Sequence, residues 1–155
     1  NLSSQPTSNE NEMSVVQFTD IDDQTIMFTG DAGKVTLTEA IDYLEMMHRG
    51  YLPKIDRFQV PHHGSRRNIS SEILDRLFGK KIGEYESRNK FTAVISSAKE
   101  DENHPRKAVI RAFHHRGAKV IATEGETVCC RSRNAPQREG WSAVTPMDYP
   151  NDQEE

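Results

Sequence analysis

Lys54-Ile55-Asp56-Arg57-Phe58-Gln59-Val60-Pro61-His62-His63-Gly64-Ser65 changes character at its middle. The first seven residues, with apolar Ile55, Phe58 and Val60, read as a strand, which Pro61-His62-His63-Gly64-Ser65 interrupts. A helix is expected next over residues 71–78, with Gly79 as its stop. A strand, a polar loop and a helix in succession point to an α/β domain in which two imidazoles stand at a strand end.

The flanking sequence extends this pattern in both directions. Upstream, residues 14–20 and 24–29 are short apolar runs separated by Asp20-Ile21-Asp22-Asp23, which predicts an antiparallel pair. Gly30-Asp31-Ala32-Gly33 breaks the second run. Thr36 and Glu39 have the spacing of a capping box, Leu37, Ala40, Ile41, Leu44 and Met47 form one apolar stripe, and Gly50 supplies the stop, so a helix is expected between them. Downstream, residues 80–90 read as a polar connection and residues 91–97 as a strand. The next helix is expected to start near Asn103 as N-cap, with Pro105 in its first turn and Gly117 at its end. A strand over 118–123 is then expected to turn at Glu124-Gly125 into a hairpin partner over 127–131.

The division is a loop entering over 1–12, one domain over 13–133 and a tail over 134–155, without internal repeats. The three amphipathic helices can all lie on one face of a mixed sheet. The other face then needs a cover, expected from a second sheet layer outside this sequence.

Composition narrows the function classes. At 34% hydrophobic and 28% charged residues, the 155-residue chain is polar for a globular domain but not poor enough in apolar residues to be disordered. Its net charge of -4 is spread along the chain, and no polybasic block marks a phosphate-backbone track. No apolar run approaches the ~20 residues of a membrane span, and the N-terminus lacks a signal peptide's pattern, so no membrane contact is expected. The only cysteines, adjacent Cys129 and Cys130, point to a reduced, cytoplasmic setting and read as packed or half-buried side chains.

Thr29-Gly30-Asp31-Ala32-Gly33 and Val60-Pro61-His62-His63-Gly64-Ser65 both follow apolar strands, and His104 stands at a third strand-to-helix junction. A carboxylate with neutral imidazoles suits zinc or manganese, and one carboxylate can bridge two ions about 3.5–4 Å apart. Each segment also has a plain reading. Gly-Asp-Ala-Gly is an ordinary turn, paired histidines often sit on surfaces, and Asn103 can cap a helix beside an exposed His104.

In combination and order, Asn11-x-x-Ser14-Val15, Phe28-Thr29-Gly30-Asp31, Val60-Pro61-His62-His63-Gly64-Ser65, Ala93-Val94-Ile95-Ser96, Asn103-His104-Pro105 and Thr123-x-Gly125 resemble the C-terminal half of ComEC-type metallo-β-lactamase-fold hydrolases over roughly residues 11–130. The resemblance implies half of an αββα sandwich with two divalent metals, zinc first and manganese second, at one edge. It implies that Asp31 bridges the metals and His62 ligates one of them, with His63 as alternative ligand or site neighbour and His104 near the substrate. His63 and His104 are then the candidates for stabilising an oxyanion or protonating a leaving oxygen.

One departure is large. The H-x-H-x-D-H segment and the single histidine after it, which supply most of the family's ligands, are absent from these 155 residues. The N-terminal half of the domain, from the same or a partner chain, is the implied partner, and a phosphodiester, including nucleic acid, the implied substrate. The remaining histidines, His48 and His114-His115, read as solvated or dipole-facing residues at helix ends. A competing reading is a non-catalytic interaction module without the first ligand set. A regulatory nucleotide-binding domain ranks last, because no Gly-rich phosphate loop follows the first strand.

Overall fold

A computed structural model describes residues 2–83, 89–132 and 134–152. The middle of the connection expected over 80–90 and the boundary at 133 lie outside the described residues. Five strands, β1 (Gln17–Ile21), β2 (Gln24–Phe28), β3 (Arg57–Gln59), β4 (Phe91–Ile95) and β5 (Ala118–Ala122), form one mixed sheet in the order β1-β2-β3-β4-β5. β1 and β2 are antiparallel, and every later neighbour is parallel. Among the described residues, α1 (Asn9–Glu12) precedes the sheet, and α2 (Lys34–Met47), α3 (Ser71–Phe78) and α4 (Lys107–His114) connect its parallel strands.

Register explains the core. Phe18, Met27, Phe58, Ala93 and Val120 pair in one row across all five strands, so their side chains share a face. All but Phe18 are buried, and they join Leu37 and Ile41 of α2, Ile73, Leu74 and Leu77 of α3, and Val109, Ile110 and Phe113 of α4 in one cluster. Phe78 stacks on Phe91 with ring centroids 3.8 Å apart, and Phe58 meets both Phe78 and Phe113. The next row, Thr19, Ile26, Arg57, Thr92 and Lys119, faces the other way, and none of its members is fully buried.

Several local expectations are corrected. α2 starts at Lys34, two residues before Thr36, so Thr36 and Glu39 do not form its cap. Its first turn instead receives the Glu12 carboxylate, which accepts from Val35 N–H (3.3 Å) and Thr36 N–H (2.9 Å). α4 starts at Lys107 with Arg106 at its N-cap, leaving Asn103 to Arg106 in a loop. Residues 127–131 form no strand, and Cys129 and Cys130 are exposed rather than packed. The chain returns to β5 later, where Met147 N–H donates to Val120 O at 2.8 Å. Within residues 1–12, α1 is a helical turn, and Lys34 Nζ ties the segment down through Ser3 O and Gln5 O.

No helix among the described residues is long and apolar enough to cross a membrane.

Candidate functional site

Parallel strands align their carboxyl ends, and loops leaving that edge of a sheet converge on one crevice. Asp31 follows β2, His62 and His63 follow β3, and His104 lies in the loop after β4. Backbone bonds tie these loops together: His62 N–H donates to Gly30 O (3.1 Å) and Arg106 N–H to Gly64 O (3.2 Å). Gly64 has no room for a side chain, since a Cβ there would lie 2.8 Å from Pro105 Cβ. It also has φ of +85°, following His62 and His63 at +46° and +55°. Two consecutive non-glycine residues in the left-handed region are uncommon, and such strain collects where side chains must be aimed.

The structure brings all four candidate residues together. Asp31 Oδ2 lies 4.0 Å from His62 Nδ1, with both side chains partly exposed. The ring centroids of His62, His63 and His104 are 5.7, 6.0 and 6.5 Å apart in the three pairings. His104 is not the freely exposed residue of the plain reading, because Asp101 holds it.

Partners decide which ring nitrogen carries the proton. His63 Nδ1 is 2.6 Å from Ser96 O, an atom that only accepts, so Nδ1–H donates and a neutral ring keeps its lone pair on Nε2. His104 Nδ1 is 2.9 Å from Asp101 Oδ2, with the same consequence. Hydrogen bonds from the Asn103 N–H and then from His104 hold the Asp101 carboxyl below its ordinary range. This is how proteins orient an imidazole that must ligate a metal or move a proton. His62 differs: its Nδ1 lies 2.8 Å from the Asn11 amide. An amide N–H donating there puts the ring proton on Nε2, whereas the flipped amide accepts from Nδ1–H and frees Nε2.

The sequence alone assigns no role to Asn68, Asn11 or Asp101. Asn68 is 1% exposed and donates to Asp31 O at 2.9 Å and Ala32 O at 3.3 Å, holding the turn from within. Asp101 stands three residues before His104, a spacing that signals such a pair, but nothing local distinguishes Asn68.

No family model, curated protein or solved structure matches the chain.

As donors, one carboxylate and three imidazoles match a borderline divalent ion in kind. They do not match it in arrangement. Among the described residues, no group of three or more His, Cys, Asp or Glu side chains is arranged to hold a metal ion.

His48, expected to be solvated, is exposed and edges Phe18 at 6.3 Å between ring centroids. His114 and His115 stand at the carboxyl end of α4, as the dipole-facing alternative expects, but His114 is buried and His115 half-buried rather than solvated. His114 is 2% exposed beside the Tyr149 ring and the backbone of Met147 and Asp148, and burial lowers its pKa. His115 spans Ile82 O (3.2 Å) and the Tyr149 hydroxyl (2.8 Å), and burial, then Lys81, lowers its pKa.

Proposed function

We propose that the chain is the C-terminal half of a ComEC-like, metallo-β-lactamase-fold hydrolase and contributes part of a two-metal site. The observation that carries this reading is the convergence of Asp31, His62, His63 and His104 at the carboxyl ends of β2, β3 and β4. Asp31 and His62 are the metal ligands in this reading, with His63 the alternative to His62. The incomplete donor set supports a site completed by the N-terminal half of the domain, on the same polypeptide or a partner.

Zinc or manganese ions bound there would supply Lewis acidity toward a phosphoryl or carbonyl oxygen. The chain's own groups would orient and move protons. A water at His104 Nε2 would meet a lone pair on a ring fixed by Asp101, which could take that water's proton as it attacks and then give it to the leaving oxygen. His63, braced on Ser96 O, can do the same or ligate. The substrate class is a phosphodiester or related ester, and the setting the cytoplasm.

The sheet face carrying Thr19, Ile26, Arg57, Thr92 and Lys119 is where the second sheet of an αββα sandwich would pack. Alternation along β1 and β2 puts Ile21, 56% exposed, and Phe28, 45% exposed, on that face, so apolar surface remains for such a cover. The test is metal content and phosphodiester hydrolysis of the chain assembled with that half. Two tightly bound ions in the isolated chain would refute the half-site reading; no metal and no hydrolysis in the assembly would refute the enzyme. The second outcome would favour an interaction module, which the absence of a closed metal set among the described residues also supports.

A further inference from the structure

Away from the histidine crevice, where β4 and β5 begin, a hollow of about 310 Å³ lies between the ends of α3 and α4 and the returning segment around Tyr149. Lys81, Arg111, Arg116 and His115 line it, and no carboxylate does among the described residues. The volume is at the lower end for small-molecule sites, about 300–1,000 Å³.

The cations are only partly spent on the protein. Arg116 is 3% exposed and uses its Nη atoms on Ala112 O, Ser71 O and Asp75 Oδ1, the last at 2.7 Å, but its buried Nε has no partner among the described residues. A buried N–H donor without an acceptor is costly and is commonly met by a water or an ion. Arg111 gives one Nη to Pro150 O and Asp152 O and leaves donors over. Lys81 is exposed at the rim. Ser71 also brings in the first turn of α3, whose dipole favours an anion, whereas the carboxyl end of α4 opposes one and is partly neutralised by Arg116 on Ala112 O. His115 lies among these cations, and burial, then the charges of Lys81, Arg116 and Arg111, lower its pKa.

We propose that this hollow binds a small phosphate-bearing molecule, with Lys81 and Arg111 facing the phosphate, the Asp75-paired Arg116 bordering it from beneath, and Tyr149 walling its organic part. It stands independently of the hydrolase reading, since none of these residues belongs to the crevice.

Calorimetric titration of the intact protein with inorganic phosphate and with adenosine 5′-monophosphate, at low and high salt, tests the site. Binding should weaken with salt. Lys81→Gln should weaken it about fivefold, as expected for one partly exposed charge-assisted contact, and Arg111→Gln at least as much. Tighter binding of the nucleotide identifies a monoester as the ligand, and equal binding identifies free phosphate; both uphold the site. Arg111→Gln also loosens the returning segment, so Lys81→Gln, which touches none of it, carries the decision. No binding of either probe, or unchanged binding in Lys81→Gln, would overturn the proposal and leave the cluster as a clasp for residues 149–152.

Discussion

His62-His63, just after β3, and His114-His115, just before β5, are the same dipeptide at opposite ends of the strands, and the structure treats them oppositely. The first pair sits on left-handed backbone at the carboxyl ends of the strands, partly exposed, beside Asp31 and His104. The second sits where α4 runs into β5, packed under Tyr149. His63 has one nitrogen anchored to a carbonyl and the other left for chemistry, whereas His115 has both nitrogens engaged. A histidine therefore becomes a candidate reagent through what its second nitrogen lacks, not through its presence in a pair.

The largest test of that contrast is a pair of substitutions. In the assembled protein, Asp31→Ala should lower hydrolysis by at least about a hundredfold and reduce bound metal, because it removes the carboxylate expected to bridge. His114→Ala should leave activity per folded molecule unchanged but lower stability by about 2–3 kcal/mol, the range for emptying a core site. Denaturant titration with metal analysis on both variants checks this. Similar activity loss in the two would erase the distinction.

The contrast was half legible in the sequence. The Asp31, His62 and His104 segments could be found because each sits just after an apolar run, and strand ends are where a sheet aims side chains. β1 and β2 as an antiparallel pair, the stripe of α2, and α3 with its Gly79 stop were readable for the same reason: their signals are local. What failed was nonlocal. The Thr36–Glu39 spacing lost to a carboxylate 24 residues before Thr36, and the burial of His114 depends on residues 147–149 folding back over it. The hairpin expected over 127–131 rested on turn residues alone, while the chain meets β5 at Met147 instead.

A smaller effect is expected one step behind the reagents. Asp101→Asn keeps the shape of the His104 contact but removes its charge, and should reduce the hydrolysis rate about tenfold with bound metal unchanged. The His104 ring resonances should move while those of His63 stay, because only His104 loses its charged partner. The same rate loss with an unmoved His104 ring would show that Asp101 only shapes the loop.

The buried pair has its own pH signature. Both His114 and His115 have folded pKa values lowered by burial, with Lys81 next for His115. Above the ordinary histidine value of about 6.5 both states are neutral and the pair's full stability is present. Below it the unfolded chain takes up protons that the folded chain refuses, so stability falls as pH falls from there toward the lowered values. Urea melts at pH 7 and pH 5.5 should show this fall, and His115→Gln should flatten it. An unchanged slope would mean that other groups dominate.

The smallest effect concerns how the first pair is held. Glu12 closes the amino end of α2, and its neighbour Asn11 reaches His62, so one short helix links a cap to the site. Burial pushes the Glu12 carboxyl up, but hydrogen bonds from Thr36 and Val35 outweigh it and leave the pKa below its ordinary value. Its contribution is therefore present above the ordinary glutamate range and is lost as pH falls through the lowered value. Glu12→Gln keeps an acceptor oxygen while removing the charge that complements the helix dipole, and should cost about 0.5–1 kcal/mol at neutral pH. If α1 positions His62, the variant should also broaden or shift the His62 ring resonances while leaving those of His115 unchanged. Equal perturbation of both rings would mean that Glu12 acts on the whole fold, and no perturbation of His62 would mean that Asn11 holds the ring without help from its neighbour.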